Sequence, residues 1–356
     1  MTSEEKTPVI SVLMCVYKTP EPYLRRAIES ILEQSFSDFE LIILMARSSE
    51  NCDEVIRSYS DERIRFYEFD ENVQPSVRME YGLQIVRGKY IAFMDSDDIS
   101  LPERFAKQYA YMESHDKIAA LGSAAQRFNE KKELGIAVPE CLDGDETTRI
   151  RMLFYDAAFV ASTGVVRKSF LDKIQFHYNS IPNAGDYLIF ASIAYAGGGL
   201  TALPECLVRY RIYAGQMNVM RDRRLRDGSQ EKTGGMIVQQ QLLEPLLGSM
   251  SDEEIQTHIA LHYRGLSVSV AQCDTHIQRL LEANERIALY DKKLFRKELM
   301  SIWSLRIFST ALKKHDYSFF KSKFFLRSMA PNVLAYDFHK KITQRLKCAR
   351  ATRRNN

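Results

Sequence analysis

Apolar residues arrive along the first part of this chain in short continuous runs, separated by stretches in which they recur at helical spacing. The run VISVLMCVY, residues 9 to 17, is apolar and rich in β-branched side chains. That is the pattern of a strand buried on both faces of a parallel sheet. The prolines of TPEP come next and suit a loop and a helix start. Over residues 21 to 35, Leu24, Ala27, Ile28, Ile31 and Leu32 share one helical face, with Arg25, Arg26, Glu29 and Glu33 between them. The unit then repeats: FELIIL (39 to 44) predicts a second strand, DEVIRSYS a helix and RIRFYEF (63 to 69) a third strand. A helix around 76 to 87 and the strand GKYIAFMD complete the series. Strands alternating with helices at this pitch predict an α/β fold with a mostly parallel, doubly wound sheet flanked by helices. Ligands of such sheets gather beyond the carboxyl ends of the strands.

From 117 to 215 the pattern loosens. AALGSAAQRF, AAFVASTGVVRK and LTALPECLVRYRIY read as further strands, and YLIFASIAYAGG as a helix ended by glycine. The charge-dense stretch at 220 to 235, MRDRRLRDGSQEKTGG, reads as a linker. Beyond it the residues are helix formers with few glycines. The expected organisation is one α/β domain over 1–219, a linker over 220–235 and a smaller, mainly helical region over 236–356.

Charge changes this picture more than bulk composition does. The net charge of +3 conceals a C-terminal stretch, residues 292 to 356, with 17 Lys or Arg against 3 Asp or Glu, so the remainder is acidic. That stretch interleaves its cations with Trp303, Phe308, Phe319, Phe320, Phe324 and Phe325. Two readings fit: interfacial helices that dock on an anionic leaflet, or aromatics packed inside a helical segment with solvated lysines around them. Nucleic-acid recognition is not expected, because no module surrounds the basic residues. The six cysteines form no CxxC pair, and the seven histidines form no paired ligand pattern. Reduced thiols in a cytoplasm fit that usage. The polar, acidic opening MTSEEKTPVI and the absence of a long apolar run suggest neither secretion nor a spanning helix.

The candidate chemistry sits at the end of the fourth strand. Asp95, Asp97 and Asp98 of the DSDD run emerge there within four residues. Three carboxylates so close repel one another unless a cation joins them, and hard oxygen ligands suit Mg²⁺ or Mn²⁺. The alternative is an acidic loop in which Asp98 or Ser100 caps the helix that ISLPERFAKQ begins.

The ordered set SVLMCVYK, SFSDFELIIL and GKYIAFMDSDDISLPERF resembles the family 2 glycosyltransferases with a GT-A fold, over about residues 8 to 218. The resemblance implies an inverting transfer of a sugar from a nucleoside diphosphate, UDP-linked, to a hydroxyl of a glycan or lipid-linked glycan in surface polysaccharide synthesis. It implies that Tyr17 packs on the nucleobase, that Asp95 lies nearest the ribose or metal, and that Asp97 ligates Mn²⁺ or Mg²⁺. The second motif, NAGDYLIFASIAYAGGGLTALPECLVRYR, places Asp186 on the family's general base. A plain reading of Asp186 is a first-turn residue stabilised by the positive helix end. Arg167 and Lys168 match a strand that lines the family's cleft, although basic residues after a strand are ordinary. A cytoplasmic enzyme, peripheral on the inner membrane face, fits this set.

The chain also departs from the family's pattern. Met45, Ala46 and Arg47 stand where an Asp usually accepts the uracil imide proton. Gly185 and Leu188 flank Asp186 where carboxylates are usual, Met79 and Glu80 replace an Arg and an Asn, and Tyr213 replaces a His that can ligate the metal. These departures keep a second reading open, a catalytically impaired homologue retained as a nucleotide-binding or assembly subunit. A nucleotidyltransferase shares the sheet and metal logic, but VYKTPEP lacks the Gly-rich basic loop expected after its first strand.

Overall fold

The computed structural model describes residues 7–48, 50–71, 73–139, 141, 145–154, 158–178, 181–182, 184–216, 233–261, 268–304, 322, 324 and 343–352. Two compact units emerge. One comprises Met1–Asp145, Ala157–Tyr213 and Lys347–Asn356, the other Glu146–Asp156 and Ala214–Leu346.

The first unit is built on a nine-stranded sheet. Its strands are β1 (Ile10–Val16), β2 (Phe39–Ala46), β3 (Ile64–Phe69), β4 (Tyr90–Asp95), β5 (Ile99–Ser100), β6 (Ile118–Phe128), β7 (Glu133–Ala137), β8 (Val165–Arg167) and β9 (Gly199–Arg211). They run in the order β3-β2-β1-β4-β8-β6-β9-β5, with β7 added beside β6. The half from β3 to β4 is wholly parallel. Beyond β4 the sheet turns mixed, because β8 runs antiparallel to both β4 and β6.

Buried helices α1 (Glu21–Leu32), α2 (Cys52–Arg57), α3 (Pro75–Ile85) and α4 (Arg104–Ser114) return the chain between the early strands. The apolar face of α1 read from the sequence is the face it buries: Leu24, Ala27, Ile28 and Ile31 join Val12, Met14, Ile43 and Met45 in one core. On the opposite sheet face α3 approaches closely, since a Cβ at Gly82 would lie 2.8 Å from the Leu44 side chain. Further helices α5 (Asp145–Met152), α6 (Lys168–Ile174) and α7 (Gly185–Tyr195) follow.

The stretch 157–168 corrects the sequence reading in part. Only Val165–Arg167 is strand, and a 3₁₀ turn, Ala161–Thr163, precedes it. The turn exists because Ser162 and Thr163 are fully buried and spend their hydroxyls on neighbouring elements. Such a tertiary demand leaves no mark on hydrophobic periodicity.

The second unit holds α8 (Gly234–Leu247), α9 (Asp252–Ala260), α10 (Val270–Ile287) and α11 (Lys292–Trp303). Ser251 and Ser269 open α9 and α10 with reciprocal capping boxes. Inside, Arg151 pairs with Glu298 at 2.9 Å, both nearly water-free. The linker expected at 220–235 lies outside the described residues up to 232. Of the C-terminal aromatics, Trp303 and Phe324 are fully buried, and the Trp303 indole N–H donates to Asp274 at 2.8 Å. The packed reading holds for those two; Phe308, Phe319, Phe320 and Phe325 lie outside the described residues. No helix among the described residues is long and apolar enough to cross a membrane.

Candidate active site

The parallel register decides where the sequence-predicted residues meet. Cys15 of β1 pairs with Leu44 of β2 on one side and with Asp95 of β4 on the other, so the three strands finish level. Tyr17 is carried past the end of β1 and is 43% exposed. The Lys18 ammonium lies 5.1 Å from that ring. Lys18 itself adopts a left-handed backbone (φ 50°), which turns the chain sharply out of the strand.

Charge is treated oppositely at the two ends of these strands. At the amino end, the buried Glu40 carboxylate accepts from the Ser11 hydroxyl at 2.6 Å, from Arg65 at 2.7 Å and from Arg87 through both its amide and its guanidinium. Burial alone would raise its pKa, but these donors win and hold it below the ordinary carboxylate value. At the carboxyl end, Asp95, Asp97 and Asp98 present carboxylate oxygens within 4.8 Å of one another. There burial and mutual repulsion win. The surrounding protein, then Asp97, pushes Asp95 up to about 6 against the opposing pull of Ser162 and Arg104.

The three acids differ in what they do. Asp98 is fully buried and points inward, accepting from the Ser162 hydroxyl at 2.5 Å and from the Arg211 amide at 2.8 Å. Asp95 reaches solvent at the rim although protein surrounds most of its carboxyl, and Asp97 is half-buried. Asp98 therefore anchors the loop, leaving Asp95 and Asp97 as the outward pair. Below them lies Arg104, also fully buried, whose guanidinium donates to the Phe93 and Gly164 carbonyls and to Gln108. Burial lowers the Arg104 pKa to about 9, opposed by the charges of Asp98 and Asp95, so it remains a cation at neutral pH.

The expected helix cap is also reassigned. Neither Asp98 nor Ser100 caps α4; the Gln34 amide oxygen accepts from the Phe105 amide at 3.1 Å, while its nitrogen donates to Leu101 O and Ser100 Oγ. Asp98 cannot serve because its oxygens are already taken by Ser162 and Arg211.

Around the outward pair stand residues of β9 and the segment after it. The Arg211 side chain donates to the Asp97 carbonyl at 2.8 Å and to Glu130 at 2.7 Å, and lies 4.0 Å from the centre of the Tyr23 ring. Tyr213 packs edge-on against the same ring at 5.2 Å, and its phenol opposes the rise that burial imposes on the Asp97 pKa. At the β1 end, Thr19 Oγ1 and Ser96 Oγ lie 2.7 Å apart and join the two loops.

Asp186 lies in the first turn of α7, exposed, with one carboxylate oxygen accepting from the Tyr187 amide at 2.8 Å. The helix that carries it starts against the buried Tyr178, whose ring lies within 2.8 Å of where a Cβ on Gly185 would stand and whose amide donates to Glu80 of α3. Arg167 is placed elsewhere: it pairs with Tyr90 at the amino end of β4 and donates to the Met112 and Ile118 carbonyls, while Lys168 pairs with Asp172. Those bonds are those of a strut. Sequence reading missed Ser162, Arg104 and Arg78, all buried polar residues. Arg78 donates to the Val16 and Leu44 carbonyls and so ties the ends of β1 and β2.

Hard carboxylate oxygens, two of them outward and incompletely neutralised, match the ligand preference of Mg²⁺ or Mn²⁺. Comparison with known proteins points the same way as the geometry. A profile of glycosyl transferase family 2 matches residues 11–174. An uncharacterized glycosyltransferase of Methanocaldococcus jannaschii is 32% identical over 216 residues, which is 60% of this chain and 73% of that protein. The O-antigen biosynthesis glycosyltransferase WbnJ of Escherichia coli is 32% identical over 212 residues, 58% of this chain and 80% of its own length. In structure, TarS 1-349 of S. aureus in complex with UDP-GlcNAc superposes with a TM-score of 0.56 at 17% identity, covering 87% of this chain and 93% of that one. At that identity the likeness speaks for the fold.

Proposed function

The chain belongs to glycosyltransferase family 2, and from that premise we propose that it moves a sugar, with inversion, from a nucleoside-diphosphate donor, UDP-linked sugars included, to a hydroxyl of a surface polysaccharide or glycolipid. The observation that carries the reading is the contrast between Glu40, fully compensated at the amino edge of the sheet, and the outward Asp95 and Asp97 at its carboxyl edge.

In this reading Tyr17 stacks on the nucleobase, and Asp95 and Asp97 hold Mn²⁺ or Mg²⁺, with Asp95 also next to the ribose. Bound there, the cation supplies charge neutralisation for the departing diphosphate. Asp98, Ser162 and Arg211 keep the two outward carboxylates in place without offering ligands themselves. Asp186 takes the proton of the acceptor hydroxyl as that oxygen attacks the anomeric carbon. The bond from that carbon to the diphosphate oxygen breaks, and the configuration inverts because attack and departure are on opposite faces. The enzyme works in the cytoplasm on acceptors held at the inner membrane face, supported by the relationship to an O-antigen biosynthesis enzyme and by the basic C-terminal stretch.

The test is a donor screen scored by nucleoside diphosphate release, with and without Mn²⁺, on the wild type and on Asp97→Ala and Asp186→Asn. Each variant is expected to lose at least a hundredfold in transfer while keeping its circular dichroism. Full transfer by either one removes that residue from its role.

A further inference from the structure

Two departures from the family pattern, Glu80 and Gly185, lie far apart in sequence but meet through one residue. Glu80 of α3 accepts from the Tyr178 amide at 2.7 Å with one oxygen, and its other oxygen lies 2.6 Å from His177 Nδ1. The segment leading into α7 is thus fastened to the helix packed on β1 and β2. The Tyr178 ring is 2% exposed and braced edge-on by Phe176 at 5.0 Å. It fills the space beneath the first turn of α7 so completely that a Cβ on Gly185 would come within 2.8 Å of Cε1 and 3.1 Å of Cδ1. Gly185 has no left-handed backbone to explain it; among glycines with positive φ are Gly135, Gly197 and Gly248. The ring is the reason for the glycine.

We propose that Glu80, Tyr178 and Gly185 form one positioning clasp that sets Asp186 relative to the ends of β1 and β4. Glu80 fixes where Tyr178 sits, the Tyr178 ring sets how close the start of α7 approaches, and Asp186 is the next residue after the glycine. None of the three is a catalytic residue. The acidic side chain usual before the base is missing here because the ring occupies its place. The clasp deepens the proposed role of Asp186 and rests on that reading only for its effect on turnover.

The test uses the full chain and three readouts: kcat for transfer, nucleotide affinity by calorimetry with UDP and Mn²⁺, and amide exchange over 186–189. Gly185→Ala is expected to lower kcat about tenfold with UDP affinity unchanged within twofold. Adding Tyr178→Leu to it should restore at least half of the loss, because the smaller side chain admits the new methyl group. Glu80→Ala should speed exchange over 186–189 at least tenfold, and Glu80→Gln, which keeps an acceptor for the Tyr178 amide, should stay within threefold of wild type. Full kcat in Gly185→Ala, a loss that Tyr178→Leu leaves untouched, or a parallel loss of UDP affinity overturns the clasp. Exchange does not depend on which group takes the proton. Faster exchange in Glu80→Ala beside an active Asp186→Asn would sink the base assignment and keep the clasp; unchanged exchange beside an inactive Asp186→Asn would do the reverse.

Discussion

The Tyr213 phenol and the Asp97 carboxylate are electrostatic neighbours, and the two groups perturb each other in turn. Burial first, and Asp97 next, push the phenol well above its ordinary pKa, while the phenol opposes the rise that burial imposes on Asp97. Tyr213, where the resemblance expects a His, thus acts on the ionisation of Asp97.

Tyr213→Phe removes the polar neighbour of the Asp97 carboxylate, an effect of about 1 kcal/mol or roughly fivefold. Transfer is expected to fall by that factor, with the Mn²⁺ concentration for half-maximal activity rising. Tyr213→His should shift the Mn²⁺ requirement downward, because imidazole is itself a ligand for such ions. A metal titration of initial rates on both variants checks the pair of shifts.

Base selectivity should be weak. Met45 and Ala46 are buried in the sheet, and Arg47 is drawn toward Glu68 and Asp70 by ion pairs. None of the three offers a carboxylate to the uracil imide. A hydrogen bond to a charged acceptor is worth about 1.5–3 kcal/mol, roughly tenfold or more in selectivity, and that increment is missing. Calorimetry with uridine, guanosine and cytidine diphosphates plus Mn²⁺ is expected to give affinities within about tenfold of one another. A hundredfold preference for uridine would show that another group reads the base.

Arg104, fully buried, donates to the Phe93 and Gly164 carbonyls and to Gln108, and feels the charges of Asp98 and Asp95. Replacing it by Met leaves the Phe93 and Gly164 carbonyls and the Gln108 amide oxygen without that donor, at about 1–3 kcal/mol for each buried group left unsatisfied. Arg104→Lys keeps the charge but not the fork that reaches Phe93 O and Gln108, so its loss should be smaller. Denaturant unfolding of the two variants, compared at equal slope, checks the ranking.

Acid should weaken the helical unit before the sheet. His258 and His276 are buried against each other, with His258 Nδ1 2.9 Å from His276 Nε2 and His258 Nε2 2.5 Å from Leu153 O. That carbonyl can only accept, so His258 carries its proton on Nε2 and receives the His276 Nε2 proton on Nδ1. Burial lowers the pKa to about 3 for His258 and about 4 for His276. The unfolded chain takes up these protons near pH 6.5 and the folded one only near pH 3 to 4. Stability from this pair is complete above pH 6.5 and falls as pH drops toward 4, by about 1.4 kcal/mol per unit for each group. Thermal unfolding followed from pH 7.5 to 4.5 should show that slope, flattened in His258→Gln/His276→Gln.

The chain's own pattern was enough for the parallel half of the sheet. β1, β2 and β4 are continuous apolar runs whose burial on both faces follows directly from their composition, and α1 carries its buried face as a periodicity. The DSDD run announced itself for a related reason, since three adjacent carboxylates after such a strand are conspicuous in any context. What sequence could not supply was which polar residues meet. Ser162 with Asp98, Tyr213 with Asp97, and Glu80 with Tyr178 are separated by 64 to 116 positions and leave no local periodicity. Hydrophobic order is written locally because every strand and helix must bury its own face. The partners of a buried charge are chosen only when the packed sheet removes water, and only then did Asp98 become an anchor, leaving Asp95 and Asp97 facing outward.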